Sequence, residues 1–338
     1  MKALQYLGPK HLEFIEIPKP KIKSDEILMK TKKVGICGTD LHIYSGAMDL
    51  KTPLIPGHEF VGDVAEVGSD VQNFKIGDRI VAEHVIGCGV CAYCKEGRKN
   101  LCENPTIIGL NKQGAFAEYV ALPADLVYKL PDSVDYDHGV LVEPLSVALY
   151  GVIKSGVGIG DKALVIGQGP IGIFLDQVLL STGAEVYAAD IVDNRLKFVK
   201  ENNFVIESFN SKDSDFIMNF KKAVGNLGVD FVFEAVGIEA TAELAINTVK
   251  SGGKVMFLGV FEHKVNLSLM KVVRNEIDIS GSWTSLNTFG PTIELLENKK
   301  ITTDKFITHR YKFEDAIKAF EDSAEYSDNR IKTIIEFS

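Results

Sequence analysis

The hydrophobic and polar positions divide the chain into two textures, with the change near Tyr150. Before that residue, short β-prone runs alternate with turns at Gly, Pro and Asp, and helical periodicity is weak. The runs are EILMKTKKVGI, FVGDVAEVG, DRIVAEHVI and AFAEYVALP. We therefore predict a compact, mostly β domain over residues 1–150.

Beyond Tyr150, strands alternate with helices. The apolar runs KALVIG, EVYAAD, VDFVFEAVG, GKVMFLGV and EIDISGS are typical of buried strands, and GPIGIFLDQVLLSTG, NRLKFVKENN and ATAELAINTVK have helical periodicity. This alternation predicts a doubly wound parallel sheet over residues 151–285, so the predicted fold class is α/β. Helices near PTIELLENK and FEDAIKAFEDSA and a final strand IKTIIEF predict that residues 286–338 return to the first domain.

Composition and charge narrow the classes of function. A chain of 338 residues with 46% hydrophobic and 25% charged residues is an ordinary globular protein of about two domains. Its net charge of −9, with no basic stripe among aromatics, argues against nucleic acid as a partner. No apolar run of about 18 residues and no signal peptide is present, so we expect no membrane association, a cytoplasmic location and a small-molecule partner.

Four of the five cysteines lie close together in CGVCAYCKEGRKNLC, at Cys88, Cys91, Cys94 and Cys102. Four thiolates at this spacing can surround one tetrahedral Zn²⁺ at about 2.3 Å each, and a site without an open ligand position is structural. Four unrelated buried cysteines are a poor alternative because charged residues surround them. An iron–sulfur cluster is the chief rival.

The fifth cysteine, Cys37, lies in GICGTDLH, and GHEF follows with His58 and Glu59. Sulfur, imidazole and carboxylate form the mixed ligand set of a catalytic zinc, which can polarise an alcohol and lower its pKa. Thr39 and His42 are candidates for a proton relay to solvent. Each residue alone has a simpler interpretation, as core packing, a turn or a solvated surface side chain.

A glycine-rich loop follows the strand KALVIG. Gly167, Gly169 and Gly172 satisfy G-x-G-x-x-G between a predicted strand and a predicted helix, where the backbone can approach a pyrophosphate. Asp190 ends the next strand, where a carboxylate can bind both ribose hydroxyls and repel a 2′-phosphate. These residues predict NAD rather than NADP, although Asp190 could also cap the following helix.

With these motifs, the chain resembles the zinc-containing medium-chain dehydrogenases along its whole length. The resemblance rests on GICGTDLH, PGHEFVGDVAEVG, IGDRIV, the four-cysteine loop, GAFAEYVALP, VEPLSVA, GQGPIG and LGV. Within the family, the chain resembles the polyol, butanediol and threonine dehydrogenases. The resemblance implies a GroES-like catalytic domain built from both chain ends, a Rossmann domain between them, two zinc ions per chain and a homo-oligomer, either a dimer or a tetramer.

The resemblance also implies roles for further residues. Glu143 of VEPLSVA would be a fourth ligand of the catalytic zinc or would hold its water, although a surface acid at a strand end is the simpler interpretation. The cofactor contacts would fall on Pro170, Ile171, Arg195, Leu258, Gly259, Val260, Ser282 and Trp283.

One departure from the family bears on the substrate. Threonine dehydrogenases carry Glu-Gly-His before the cysteine loop, whereas here His84 directly follows Glu83. Since alternate strand residues face opposite sides, we expect the imidazole of His84 to turn away from the substrate pocket. L-threonine is therefore the second choice of substrate. A polyol or vicinal diol is the first, because an open zinc position beside carboxylates suits a polyhydroxylated ligand. A non-catalytic zinc protein or sensor, or a zinc-free quinone reductase, is the alternative of another class.

Overall fold

The structure is a computed structural model that describes residues 1–48, 50–325 and 330–338. The chain forms two compact units. Unit 1 comprises residues 1–143 and 286–338, and unit 2 comprises residues 144–285.

The strands, in chain order, are β1 (Lys2–Gly8), β2 (His11–Glu16), β3 (Glu26–Ile36), β4 (Glu59–Val67), β5 (Arg79–Ala82), β6 (Val85–Ile86), β7 (Thr106–Ile107), β8 (Tyr119–Pro123), β9 (Val127–Lys129), β10 (Lys162–Ile166), β11 (Glu185–Asp190), β12 (Glu207–Asn210), β13 (Val229–Glu234), β14 (Val249–Phe257), β15 (Asp278–Gly281), β16 (Ile307–Lys312) and β17 (Lys332–Glu336).

The α-helices are α1 (Gly38–Ser45), α2 (Ala92–Lys95), α3 (Tyr136–Gly139), α4 (Val142–Ser155), α5 (Pro170–Thr182), α6 (Asp193–Glu201), α7 (Phe216–Val224), α8 (Glu239–Thr248), α9 (Leu269–Arg274), α10 (Phe289–Glu297) and α11 (Ala316–Ala324). Short 3-10 helices cover Lys99–Leu101, Ala124–Leu126 and Phe313–Asp315.

Unit 1 is built on a seven-stranded sheet in which strands from both chain ends pair. Its order is β16-β17-β3-β4-β5-β9, and β8 also pairs with β3. The long strand β3 runs antiparallel to β4, β8 and β17. Its inward side chains, among them Ile27, Met29 and Val34, pack with Phe116 and Phe320 in one buried core. This pairing brings the last strand of the chain beside residues near Cys37.

Unit 2 is a six-stranded parallel sheet in the order β12-β11-β10-β13-β14-β15. Each strand of the central pair is a nearly continuous apolar run, as expected where helices cover both faces of a sheet. The strand order reverses beside β10, which is the place where ligands bind in doubly wound sheets. The predicted class, a mostly β domain with a doubly wound parallel-sheet domain, is confirmed.

Several elements depart from the expected pattern. Helix α4 begins at Val142 inside the region predicted to be mostly β, and the chain passes from unit 1 to unit 2 within it. Helix α7 and strand β16 were not predicted. Among the described residues, no helix is both long and apolar enough to cross a membrane.

Candidate active site

Cys37, His58 and Glu59 come together in unit 1. One ligand atom from each, a sulfur, a ring nitrogen and a carboxylate oxygen, lies within 4.8 Å of the other two. Cys37 follows β3 and directly precedes α1, while Glu59 begins β4. The antiparallel register places Glu59 opposite Gly35, two residues before Cys37, so the pairing of β3 with β4 assembles the mixed-donor site.

A buried aspartate supports two of these donors. One oxygen of Asp40 accepts a hydrogen bond from the backbone N–H of Cys37 at 2.9 Å, and the other accepts from the N–H of Gly57 at 3.2 Å. The second oxygen also lies 3.8 Å from Nδ1 of His58. This separation is longer than a hydrogen bond, so Asp40 faces the imidazole of His58 without bonding to it.

Lys332 of β17 forms an ion pair with Glu59, and both side chains are only 2% exposed. The pair needs a glycine at position 35, because a Cβ there would overlap the carboxylate of Glu59 and approach Cε of Lys332 to 2.8 Å. Lys332 also lowers the pKa of Cys37, whose thiol has a pKa well above its ordinary value because of burial and the charge of Glu59. The lysine thus partly offsets the negative charge collected at the site.

Glu143 lies in the first turn of α4 and is buried, so its interpretation as a surface acid at a strand end is wrong. Burial raises its pKa to about 7, with the charge of Glu59 adding to this rise and those of His58 and Lys332 opposing it. A carboxyl so far from its ordinary pKa is typical of a functional site.

The predicted direction of His84 is also wrong. Glu83 and His84 do face opposite sides, but it is the imidazole that faces the mixed-donor site. Its ring centroid is 5.2 Å from that of His58, and its Nδ1 is 3.4 Å from Oε1 of Glu143. Burial, followed by the charge of His58, lowers the pKa of His84 to about 3, so the ring is neutral at physiological pH.

The four cysteines of the loop, Cys88, Cys91, Cys94 and Cys102, also converge, with their sulfurs within 4.8 Å of one another. The sulfurs of Cys91 and Cys102 are 4.0 Å apart, which is too far for a disulfide. Backbone N–H groups point at the sulfurs, including that of Cys91 at Cys88 (3.4 Å) and that of Cys88 at Cys102 (3.2 Å). Such bonds from Glu103 and Cys94 lower the pKa of Cys91 to about 6, which favours the thiolate.

Thr39 and His42 both belong to α1, three residues apart, and both are partly buried. Positions separated by three lie on the same face of a helix, and this helix begins directly after Cys37. The arrangement is compatible with the predicted proton relay.

In unit 2, the glycine-rich loop has the predicted geometry. Gly167 follows β10 with a φ of +95°, and Gly169 precedes α5, which starts at Pro170. A side chain at Gly172 would collide with the carbonyl of Gly167, so only glycine allows this helix to approach so closely. Together with Ile171, these residues form the turn at which a pyrophosphate binds in dinucleotide folds.

Asp190 ends β11 and is buried beside the loop. One of its oxygens accepts a hydrogen bond from the N–H of Gln168, and the other accepts from the N–H groups of Ile191 (2.7 Å) and Val192 (2.9 Å). Asp190 therefore links the glycine loop to the end of the neighbouring strand. Arg195 follows on α6 and is partly buried.

The later candidates follow strands β14 and β15. Leu258 and Gly259 donate their N–H groups to the carbonyl of Glu234, at 2.8 and 3.0 Å. Ser282 is buried, whereas Trp283 is 46% exposed, and Val260 is partly buried.

Sequence reasoning passed over three residues that support these sites, namely Asp40, Glu234 and Lys332. The role of Asp40 could have been predicted from the sequence. An acidic residue three positions after Cys37 has the spacing at which a side chain caps the start of a helix. Glu234, which accepts from the N–H groups of Val236 (2.9 Å) and Gly237 (2.8 Å), follows no motif of its own. Lys332 is recognisable only from tertiary structure, as is the direction of His84.

The donor sets fit zinc. The loop offers four thiols with no other ligand type, which suits a closed tetrahedral site. The other site offers a thiol, an imidazole and carboxylates in a buried cluster where one lysine faces several acids, so a divalent cation would neutralise the remaining charge. The fold and these donor sets define a class of protein with two zinc sites in one unit and a dinucleotide-type turn in the other.

Comparison with known proteins agrees with this class. The model of the alcohol dehydrogenase GroES-like domain matches residues 23–132, and that of the zinc-binding dehydrogenases matches residues 170–298. Sorbitol dehydrogenase of Bacillus subtilis is 32% identical over 99% of this chain and 97% of its own. D-arabinitol dehydrogenase 1 of Uromyces fabae is 35% identical over 96% and 94%.

Among solved structures, an Escherichia coli oxidoreductase of unknown specificity superposes with a TM-score of 0.95 at 31% identity, covering 100% of this chain and 99% of its own. The chain belongs to the zinc-containing medium-chain dehydrogenase family.

Proposed function

We propose that this protein is a zinc-dependent, NAD-linked dehydrogenase that oxidises a secondary alcohol, most readily a polyol or vicinal diol, to the ketone. The observation that carries the proposal is the convergence of partly buried Cys37 with buried His58 and Glu59, whose ligand atoms lie within 4.8 Å of one another, near Glu143. Relatives named for sorbitol and D-arabinitol support the substrate class.

In this proposal Cys37, His58, Glu59 and Glu143 hold the catalytic zinc, and Cys88, Cys91, Cys94 and Cys102 hold the structural one. When bound, zinc would supply polarisation of the substrate hydroxyl and NAD would be the acceptor of the hydride from the same carbon. Thr39 would accept the hydroxyl proton while donating its own toward His42, which would pass a proton to solvent, so that the C–H and O–H bonds break as the C=O bond forms.

The same proposal assigns NAD to unit 2. The turn of Gly167, Gly169 and Gly172 and the first turn of α5 would bind the pyrophosphate, and Asp190 and Arg195 would contact the adenosine ribose. Pro170, Ile171, Leu258, Gly259, Val260, Ser282 and Trp283 would complete the cofactor contacts. Asp190 disfavours a 2′-phosphate, so initial rates with NAD should exceed those with NADP at matched concentrations.

In this proposal, residues 1–150 and 286–338 form the GroES-like catalytic domain, and residues 151–285 form the NAD-binding domain. We further propose a cytoplasmic homo-oligomer, either a dimer or a tetramer. In the described part of unit 2, β15 is an edge strand of the sheet, with Ile279 42% exposed. An open edge strand of this kind can pair with a second copy.

L-threonine is the second candidate substrate. The argument against it from the direction of His84 is not supported, because the imidazole faces the mixed-donor site. The preference for polyols then rests on the carboxylates beside the proposed zinc position and on the relatives named for polyols.

The test is reduction of NAD across a panel of polyols, vicinal diols and L-threonine, before and after chelation. We expect turnover on polyols or diols that chelation abolishes and added zinc restores. Activity on threonine alone would favour the second candidate. Binding of NAD and zinc without turnover of any alcohol would point to a sensor, and turnover that survives removal of both metals would contradict the zinc mechanism.

A further inference from the structure

Two consecutive residues connect the four-cysteine loop with the mixed-donor site. Glu83 and His84 follow β5 and are both buried, at 3% and 6% exposure. The carboxylate of Glu83 accepts a hydrogen bond from the hydroxyl of Tyr128 at 2.8 Å and forms an ion pair with Nζ of Lys99 at 2.6 Å. The imidazole of His84 lies on the opposite side, 3.4 Å from Glu143.

Lys99 belongs to the cysteine loop itself, between Cys94 and Cys102, in the 3-10 helix Lys99–Leu101. We propose that Glu83, held by Lys99 and Tyr128, is a positioning group that fixes His84 against Glu143 and so couples the cysteine loop to the mixed-donor site. This inference rests on the proposed function, because it takes Glu143 to be a zinc ligand.

The backbone around His84 is held in both directions. The N–H of Glu83 donates to the carbonyl of Leu126 at 3.0 Å, and the carbonyl of His84 accepts from the N–H of Ile108 at 2.9 Å. Between these two backbone bonds, the contacts of the Glu83 side chain with Lys99 and Tyr128 are a further anchor of this segment. Loss of Lys99 would leave a carboxylate that is 4% exposed without its cation, which is costly enough to drive a local shift.

A shift at Glu83 would be felt by His84 because the two are adjacent. Nδ1 of His84 is buried and lacks a hydrogen-bond partner in the described structure, and the nearest acidic group is Glu143. A proton on Nδ1 would be donated to that carboxylate and would orient its oxygens. Hydrogen bonds of this kind set the orientation of metal-binding carboxylates, and their loss changes metal affinity or activity by roughly 10- to 100-fold.

The experiment compares Lys99→Met with Lys95→Met in the zinc-loaded protein. Lys95 is an exposed lysine of the same loop and therefore controls for loss of a charge there. Cobalt exchanged into the mixed-donor site gives a visible spectrum that reports the ligand geometry without substrate. We expect Lys99→Met to keep the four-thiol zinc, to shift this cobalt spectrum and to lower kcat/KM about tenfold, whereas Lys95→Met leaves both unchanged.

Tyr128→Phe is the second variant, because it removes the other donor to Glu83 without touching the cysteine loop. It should shift the cobalt spectrum in the same direction even if Lys99→Met loses its structural zinc. In a His84→Phe background, Lys99→Met should have no further effect on the spectrum, since the shift acts through His84.

Unchanged cobalt spectra in both Lys99→Met and Tyr128→Phe would overturn the proposal, as would full additivity with His84→Phe. Failure of the proposed function would look different. The wild-type protein would then turn over no alcohol, while the cobalt spectra would still show whether Glu83 positions the site.

Discussion

The buried pair of Lys332 and Glu59 allows a quantitative test of how charge is balanced at the mixed-donor site. Both side chains are 2% exposed, and Lys332 also faces the acidic groups of Cys37 and Glu143. Replacing Lys332 by methionine keeps most of the volume but leaves Glu59 as an uncompensated buried charge. Removal of one partner of such a pair costs about 3–5 kcal/mol, and we expect that loss in the metal-free protein.

Zinc should reduce the loss, because its charge then compensates Glu59 in place of the lysine. By linkage, the part of the lost stability that zinc restores to Lys332→Met equals the gain in its free energy of zinc binding. Every 1.4 kcal/mol restored corresponds to about tenfold in zinc affinity. We therefore expect Lys332→Met to bind zinc at the mixed-donor site roughly tenfold more tightly than the wild type. Lys332→Arg, which keeps the charge, is the matched control. Its zinc affinity should lie between those of the wild type and Lys332→Met.

Hydrogen exchange of peptides from β3 and β17 measures the stability of unit 1, with and without zinc at the mixed-donor site. The fluorescence of Trp283, the one tryptophan of the chain, follows unit 2 and should be unaffected. Chelator competition gives the zinc affinity independently. An equal loss of stability with and without zinc, or a loss below about 1 kcal/mol in the metal-free protein, would refute the charge-balance argument.

Three further predictions concern other parts of unit 1. Cys37→Ser should keep the fold and the structural zinc but lower kcat by at least about a hundredfold, since zinc supplies several kcal/mol of transition-state stabilisation; substantial residual turnover would contradict this. Cys91→Ser should release the structural zinc and lower the melting temperature of unit 1, whereas an unchanged metal content would show that the loop holds no zinc. Burial raises the pKa of Asp137, but hydrogen bonds from Arg310 and Lys33 outweigh burial and lower that pKa to about 2. The ionised carboxylate therefore stabilises the folded protein above pH 4, and this stabilisation is lost as the pH falls toward 2. Asp137→Asn should therefore lower the free energy of unfolding by about 1 kcal/mol at pH 7. Urea titrations at decreasing pH should show the difference between the variant and the wild type becoming smaller.

Local sequence signals predicted the elements with clear periodicity. Strand β3 has the bounds of the run EILMKTKKVGI, and β10, α5 and β11 follow the predicted strand, helix and strand around the glycine loop. Helix α4 was missed for a physical reason. Its sequence VEPLSVALYGVIKS contains a proline and a glycine, which usually interrupt helices, but Pro144 lies in the first turn, where a helix tolerates proline.

The candidate site was predictable only in part, because its supporting contacts join distant segments. Glu59 and Lys332 are brought together by the pairing of β3 with both β4 and β17, which no local pattern records. The direction of His84 failed for a related reason. Alternation along a strand shows that Glu83 and His84 face opposite sides, but only the position of their tertiary partners decides which side each one takes.

The acidity of the mixed-donor site explains why its zinc and its fold are coupled. Cys37, Asp40 and Glu143 all have raised pKa values because burial disfavours their charged forms and each feels its acidic neighbours. Lys332 can compensate only one of these charges. A divalent ion compensates two more and selects the deprotonated thiolate, so the binding free energy of zinc is spent partly on ionising groups that the fold has buried.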